Sequence, residues 1–192
     1  GTAQQILSGN LVGESAFHTI DIGNTSAPGG TTQSVVFASS ASTTGTFGMR
    51  ASTSVQFLSN STTTFQNLRL AGESGRMVWL RSSVPGTSWH LVVPGTQELL
   101  EYVNVMDSNA CSGNPNINAS SGTSTDAGNN TCWTFSSGVL SFSSDANQTF
   151  YVGQATTSIS TITLSESAVP TITASNDIRI SIATSSVGML FD

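Results

Sequence analysis

Short apolar triplets return at a steady interval along the first two thirds of this chain, and that recurrence limits its possible folds more than any other feature. One series reads Ile20-Asp21-Ile22, Val35-Val36-Phe37, Val55-Gln56-Phe57, Val78-Trp79-Leu80 and Val103-Asn104-Val105. After the first pair its members lie roughly 20 to 25 residues apart, about one coil of a β-solenoid. A second series falls between them: Thr46-Phe47, Leu68-Arg69-Leu70 and Leu91-Val92-Val93. The runs are rich in Val, Ile, Phe and Thr, alternate in polarity, and are separated by Gly, Ser, Asn and Pro, which is the signature of strands. No window carries a helical apolar stripe beyond one turn. The nearest case, TQELLEY at residues 96–102, reads equally well as a turn entering the next strand.

Two interleaved tracks are what stacked coils of a right-handed parallel β-helix produce, with inward residues of each coil resting on those above and below. The sequence therefore predicts an all-β chain with a β-solenoid-like domain over residues 1–135. Two β-sandwich domains are the alternative, because short strands at close spacing also suit a sandwich.

Cys111 and Cys132 are the only cysteines, and they bracket a polar loop rich in Gly, Asn and Ser. A disulfide between them would close that loop where a C-terminal cap belongs, and would place the chain in an oxidising, extracellular compartment. Free thiols or metal ligands are the other readings, but neither cysteine has a histidine nearby in sequence.

After Phe135 the spacing shortens. Val139-Leu140, 149–152, 159–164, 171–173, Ile178-Arg179-Ile180-Ser181-Ile182 and Met189-Leu190-Phe191 are strand candidates within 136–192. They predict a small antiparallel β-sandwich-like domain lacking some of its strands. A half-sandwich leaves an edge and an apolar face uncovered, so a neighbouring copy is expected to complete it by strand addition. The extended, uncharged segment at residues 2–12 is a candidate donor; its other reading is the first solenoid coil. The inter-subunit candidates are thus Ile6, Leu7, Leu11 and Val12 on one side, and Ile178, Ile180, Ile182, Met189, Leu190 and Phe191 on the other. A chain cut from something longer would explain the same gap.

Several phrases carry a resemblance. YVNVMDSNA (102–110), DAGNNTCWTF (126–135) and ITASNDIRI (172–180), together with SASTTGTF, TFQNLRL and LRSSVPGTSWHLVV, span most of the chain. They are similar to phrases of repeat-rich secreted surface and adhesin-like proteins of uncultured ultra-small bacteria of the candidate phyla, which read YVDVxDSNA, GNNTxWxF and ITxxNDIRI. Asn104 departs from the Asp of the first phrase. The resemblance implies a cell-surface or adhesive setting and brings no catalytic chemistry with it. In those proteins more of the same domain follows the NDIRI strand.

Composition narrows the functions. Charged residues make up 8% of the chain, net charge is −6, and all five basic residues are arginines. Scattered arginines cannot neutralise a run of phosphates, so nucleic acid is not an expected partner. A hydrophobic fraction of 37% in ordered recurrence argues for a folded protein. No apolar run approaches the ~18 residues that cross a bilayer. The first residues lack the basic start and apolar stretch of a signal peptide. Five Asn-x-Ser/Thr triplets, at Asn24, Asn60, Asn118, Asn129 and Asn147, read as markers of exposed loops.

Catalytic motifs are missing from the sequence: no nucleophile elbow, zinc-protease helix, P-loop or dinucleotide fingerprint occurs. His18 and His90 are far apart and read as structural or surface residues. The carboxylates Glu98, Glu101, Asp107, Asp126 and Asp145 are the candidates for glycoside hydrolysis, but a chain without lysine has few groups for carbohydrate-cleaving chemistry. Asp107, Asn109, Asp126 and Asn129 gather hard oxygen ligands around one loop and are weak calcium candidates; Asx-turn geometry is the competing reading. Trp79, Trp89, Trp133 and Tyr102 would form a sugar-stacking platform if exposed, although Trp79 and Trp133 lie in apolar runs that suit a core. The expected function is a non-enzymatic structural subunit of a secreted, cell-surface filament, its partners copies of itself. A glycan-binding or adhesive module of a larger surface protein is the alternative, with a β-helix carbohydrate-active enzyme a third reading.

Overall fold

A computed structural model describes residues 3–27, 32–113, 116–136, 140–144, 155, 158 and 161–166. The chain divides into two compact units, Gly1–Ser137 and Gly138–Asp192.

Nearly all regular structure is strand. In chain order the first unit holds β1 (Gln5–Leu7), β2 (Ile20–Ile22), β3 (Val35–Phe37), β4 (Ser42–Arg50), β5 (Ser54–Phe57), β6 (Thr62–Ala71) and β7 (Val78–Ser82). There follow β8 (Trp89–Val92), β9 (Gln97–Glu101), β10 (Val103–Val105), β11 (Ser108–Asn109), β12 (Ile117–Ala119), β13 (Thr125–Asp126) and β14 (Trp133–Phe135). A 3-10 turn at Gly13–Ser15 interrupts the first stretch.

Every pairing between these strands is parallel; among the described residues of this unit an isolated antiparallel bridge joins Glu73 and Arg76. One sheet runs β1-β3-β5-β7-β10-β13. Its register sets Leu7 beside Phe37, Phe37 beside Phe57, Val55 beside Leu80, and Leu80 beside Val105. A second sheet runs β2-β4-β6-β8-β11, with β9 on the far half of β6. There Ile20 lies beside Phe47 and Phe47 beside Leu68, while Thr63 lies beside Leu91 and Leu70 beside Leu100. The pair β12–β14 forms a small third sheet. The chain thus revisits each sheet at an interval of roughly 20 to 30 residues, too long for a hairpin and long enough for the crossover that parallel neighbours need.

Alternation explains which residues face in. Val35 and Phe37, Val55 and Phe57, and Val78 and Leu80 are buried, while the residue between each pair is partly exposed. Both large sheets contribute to one apolar cluster. Its centre is aromatic: Phe47 stacks on Phe65 and Phe57 on Trp89, each pair with centroids 4.1 Å apart, and Phe37 lies 5.3 Å from Phe57. Offset ring pairs of this kind add about 0.5–1.5 kcal/mol beyond their burial.

Three expectations need correction. Ile20–Ile22 belongs to the second sheet, and the first sheet begins instead with Gln5–Leu7. Residues 97–101, within the segment read as the nearest case to a helix or as a turn entering the next strand, form β9, and β9 rather than Leu91 continues the row of Phe47 and Leu68. The loop between the cysteines does not merely cap the fold, because it contains β12 and β13, and β13 extends the first sheet.

In the second unit, β15 (Leu140–Ser144) and β16 (Ile162–Glu166) pair antiparallel, Phe142 opposite Leu164. The other strand candidates there, including Ile178, Ile180, Ile182, Met189, Leu190 and Phe191, lie outside the described residues, as does Asn147.

Candidate functional site

The sequence-selected residues fall into two places. The first is the corner that follows the first sheet. Several chain passes turn there through left-handed backbone: Gly9 at φ 103°, Asn60 at 58°, Gly86 at 81°, Asp107 at 60° and Asn129 at 56°. Gly, Asn and Asp tolerate this conformation best, so the sequence supplies them at each turn.

The calcium candidates sit at this corner, and both Asp107 oxygens, one Asp126 oxygen and the Asn109 side-chain oxygen already have donors. Asp107 is only 2% exposed. Its Oδ2 accepts from the Gly86 amide at 3.1 Å, and its Oδ1 from the Asn129 side-chain amide at 2.8 Å. The Asp126 Oδ1 accepts from the Gly128 amide and from the Asn130 side chain. Asn109 Oδ1 accepts from the Cys111 amide at 3.0 Å. These are Asx-turn and corner-to-corner bonds, and Asn129 presents its amide nitrogen, not its oxygen, to Asp107. Among the described residues no three His, Cys, Asp or Glu side chains gather as a metal site.

Beside this corner, Arg81 is 8% exposed and donates to the carbonyls of Leu80 and Asn104 and to the Asn104 side chain. Its guanidinium stands 4.7 Å above the Trp79 ring. Burial pushes Arg81 down to about 10, with the Asp107 charge opposing that shift, so it stays protonated at neutral pH.

The cysteines form a disulfide with Cα atoms 5.0 Å apart, 21 residues apart in sequence. It joins successive passes of the chain, since Asn109 bridges Thr131 and the Ala110 amide donates to the Thr131 carbonyl next to it.

The aromatic residues do not make one platform. Trp89 is fully buried against Phe57, and its indole nitrogen has no acceptor. Trp79, expected in the core, faces outward beneath Arg81. Trp133 packs on the core edge beside Phe135 and donates to the Ser108 hydroxyl at 3.0 Å. His18 is exposed with its Nδ1 3.1 Å from the Thr44 hydroxyl, and His90 lies on the outer side of β8. Asn24, read as an exposed loop marker, is buried and donates to the carbonyls of Ala3 and Ser34.

The second place is the N-terminal segment. Its described residues pair within the chain, as the first-coil reading has it: β1 lies along β3, and Leu11 bridges Ala41. Leu7 and Leu11 pack on the core, whereas Ile6 is 66% and Val12 39% exposed. The Gln5 amide donates to Ser34 and the Leu7 carbonyl accepts from Ala38. Amides alternate along a strand, so that of Ile6 faces away from β3.

No helix among the described residues is long and apolar enough to cross a membrane. No protein-family model matches the sequence, and neither a curated protein nor a solved structure matches the chain.

Proposed function

We propose that this chain is a non-catalytic structural module of a secreted surface assembly. Its parallel sheets are read as a right-handed β-solenoid of six coils, stacked so that copies join edge to edge. The observation that carries this reading is the sheet order. β1 and β13 end the first sheet, and among the described residues no strand covers the outer side of β1. An uncovered edge presents a row of free amides and carbonyls to another chain. Ile6, the most exposed large apolar residue described, sits on that strand. The disulfide supports an oxidising compartment. The resemblance to surface proteins of candidate-phylum bacteria fits the same setting. In this reading subunits add strand to strand, and β1 is the receiving edge.

Ile6→Pro tests it. Proline removes the outward amide of Ile6 while leaving the Gln5 and Leu7 bonds to the second pass intact. Sedimentation velocity of the 192-residue chain at micromolar concentration is expected to show large polymers for the wild type and monomers for the variant. A monomeric wild type, or equal polymerisation of a folded Ile6→Pro protein, contradicts the proposal.

A further inference from the structure

The outer face of the second sheet breaks its regularity at β9, and a groove opens there. Leu68 pairs with Gln97 but Arg69 pairs with Leu99, so Glu98 is an extra residue bulged out of the ladder. Bulges re-aim side chains and are enriched beside binding sites. On its other side β9 makes no ladder with β12, which pairs with β14. The Gln97 carboxamide fills in for the missing ladder at one end, donating to the Asn116 carbonyl at 3.0 Å and accepting from the Asn118 amide at 2.7 Å. Beyond this bridge lies an open groove of about 570 Å³, lined among others by Glu98, Leu99, Glu101, Asn118, Ser120 and Ser121.

The lining selects a ligand class. The groove carries two carboxylates, and the ion pairs of the described residues, Asp21–Arg50 and Glu73–Arg76, use neither. Glu98 accepts only a neutral hydroxyl bond from Thr46, at 3.2 Å. With a net charge of −6, the chain as a whole also attracts cations. The remaining polar lining is short amides and hydroxyls: Ser120 donates to Asn118 Oδ1 and Ser121 to the Leu100 carbonyl, which leaves hydroxyl lone pairs and the Asn118 amide nitrogen for a ligand dense in hydroxyl groups. Leu99 supplies a small apolar surface, without a deep pocket for a large side chain. We propose that this groove binds an amino-sugar oligosaccharide, its ammonium groups on Glu98 and Glu101, its hydroxyls on Asn118, Ser120 and Ser121, and a sugar C–H face on Leu99. This site is independent of whether the chain polymerises.

The test is a titration of the disulfide-intact chain, followed by amide chemical shifts. The probes are the glucosamine tetramer, its fully N-acetylated counterpart and tetralysine. The glucosamine tetramer is expected to shift the amides of residues 97–101 and 118–121. Glu101→Gln is expected to weaken that binding about tenfold, in line with the loss of a charge-assisted hydrogen bond. Glu14→Gln, the same charge change on the exposed 3-10 turn, is expected to leave it unchanged. Shifts elsewhere, equal loss in both variants, or no binding overturns the site. Equal binding of the acetylated tetramer or of tetralysine overturns the ligand class. The wild-type shift map does not depend on any variant folding.

Discussion

At the scale of single residues, the corners hold this fold in register. Asp107 does two things at once: its backbone takes a left-handed turn, and its buried carboxylate ties Gly86 on the preceding pass to Asn129 on the following one. Alanine would lose both bonds to a charged acceptor and adopt positive φ at a cost. Asp107→Ala is therefore expected to destabilise the chain by about 2–4 kcal/mol. Asp107→Asn, which keeps the turn preference and one acceptor, is expected to lose less; urea unfolding measures both. A close approach constrains Gly95, where a Cβ would stand 2.3 Å from the Gln66 carbonyl oxygen. The Gly, Asn and Asp punctuation was legible in the sequence, because αL preference is a property of the residue itself. The direction of the tryptophans was not. Trp79 lies in an apolar run and Trp89 begins a strand after a turn, and only tertiary packing decides that Trp89 goes inward and Trp79 outward.

At the scale of elements, the first-sheet triplets from Val35 to Val105 were readable because inward Val, Leu and Phe repeat at period two. β9 escaped because its bulge at Glu98 breaks that alternation and its composition, QELLE, favours neither a strand nor a buried face. β1 was legible as part of an extended segment, but its single inward residue, Leu7, leaves no pattern to count that would fix its partner. The bulge and groove followed from the same irregularity, so the sequence offered Glu98 and Glu101 as carboxylates but not as a pair beside Asn118. The disulfide is an element-scale constraint with a measurable reach. Closing its loop restricts the unfolded chain by about 3 kcal/mol on the chain-entropy model. In the proposed solenoid, stacked coils couple mainly to their neighbours. Reduction, or replacement of both cysteines by serine, is therefore expected to lower stability by about that amount. Hydrogen exchange should accelerate first in β13 and β14 while β3, β5 and β7 stay protected. Uniform acceleration through the first unit would contradict this local reach.

At the scale of the whole molecule, the periodicity yielded the parallel, all-β character of the first unit. It did not reveal the in-chain pairing of residues 5–7. An extended, partly apolar segment suits a donor strand and a first coil equally well, and its partner β3 is distant in sequence. The proposed polymer makes one structural demand on the molecule. If copies add at the outer edge of β1, the ladder of parallel strands runs on across the subunit boundary, along the axis of the fibre. Diffraction from aligned fibres of the native chain tests this most directly. The expected pattern is a meridional reflection near 4.7–4.8 Å, the spacing between hydrogen-bonded strands, which is lost with Ile6→Pro. Fibres with that reflection on the equator, or a chain that remains monomeric at every concentration, would contradict it.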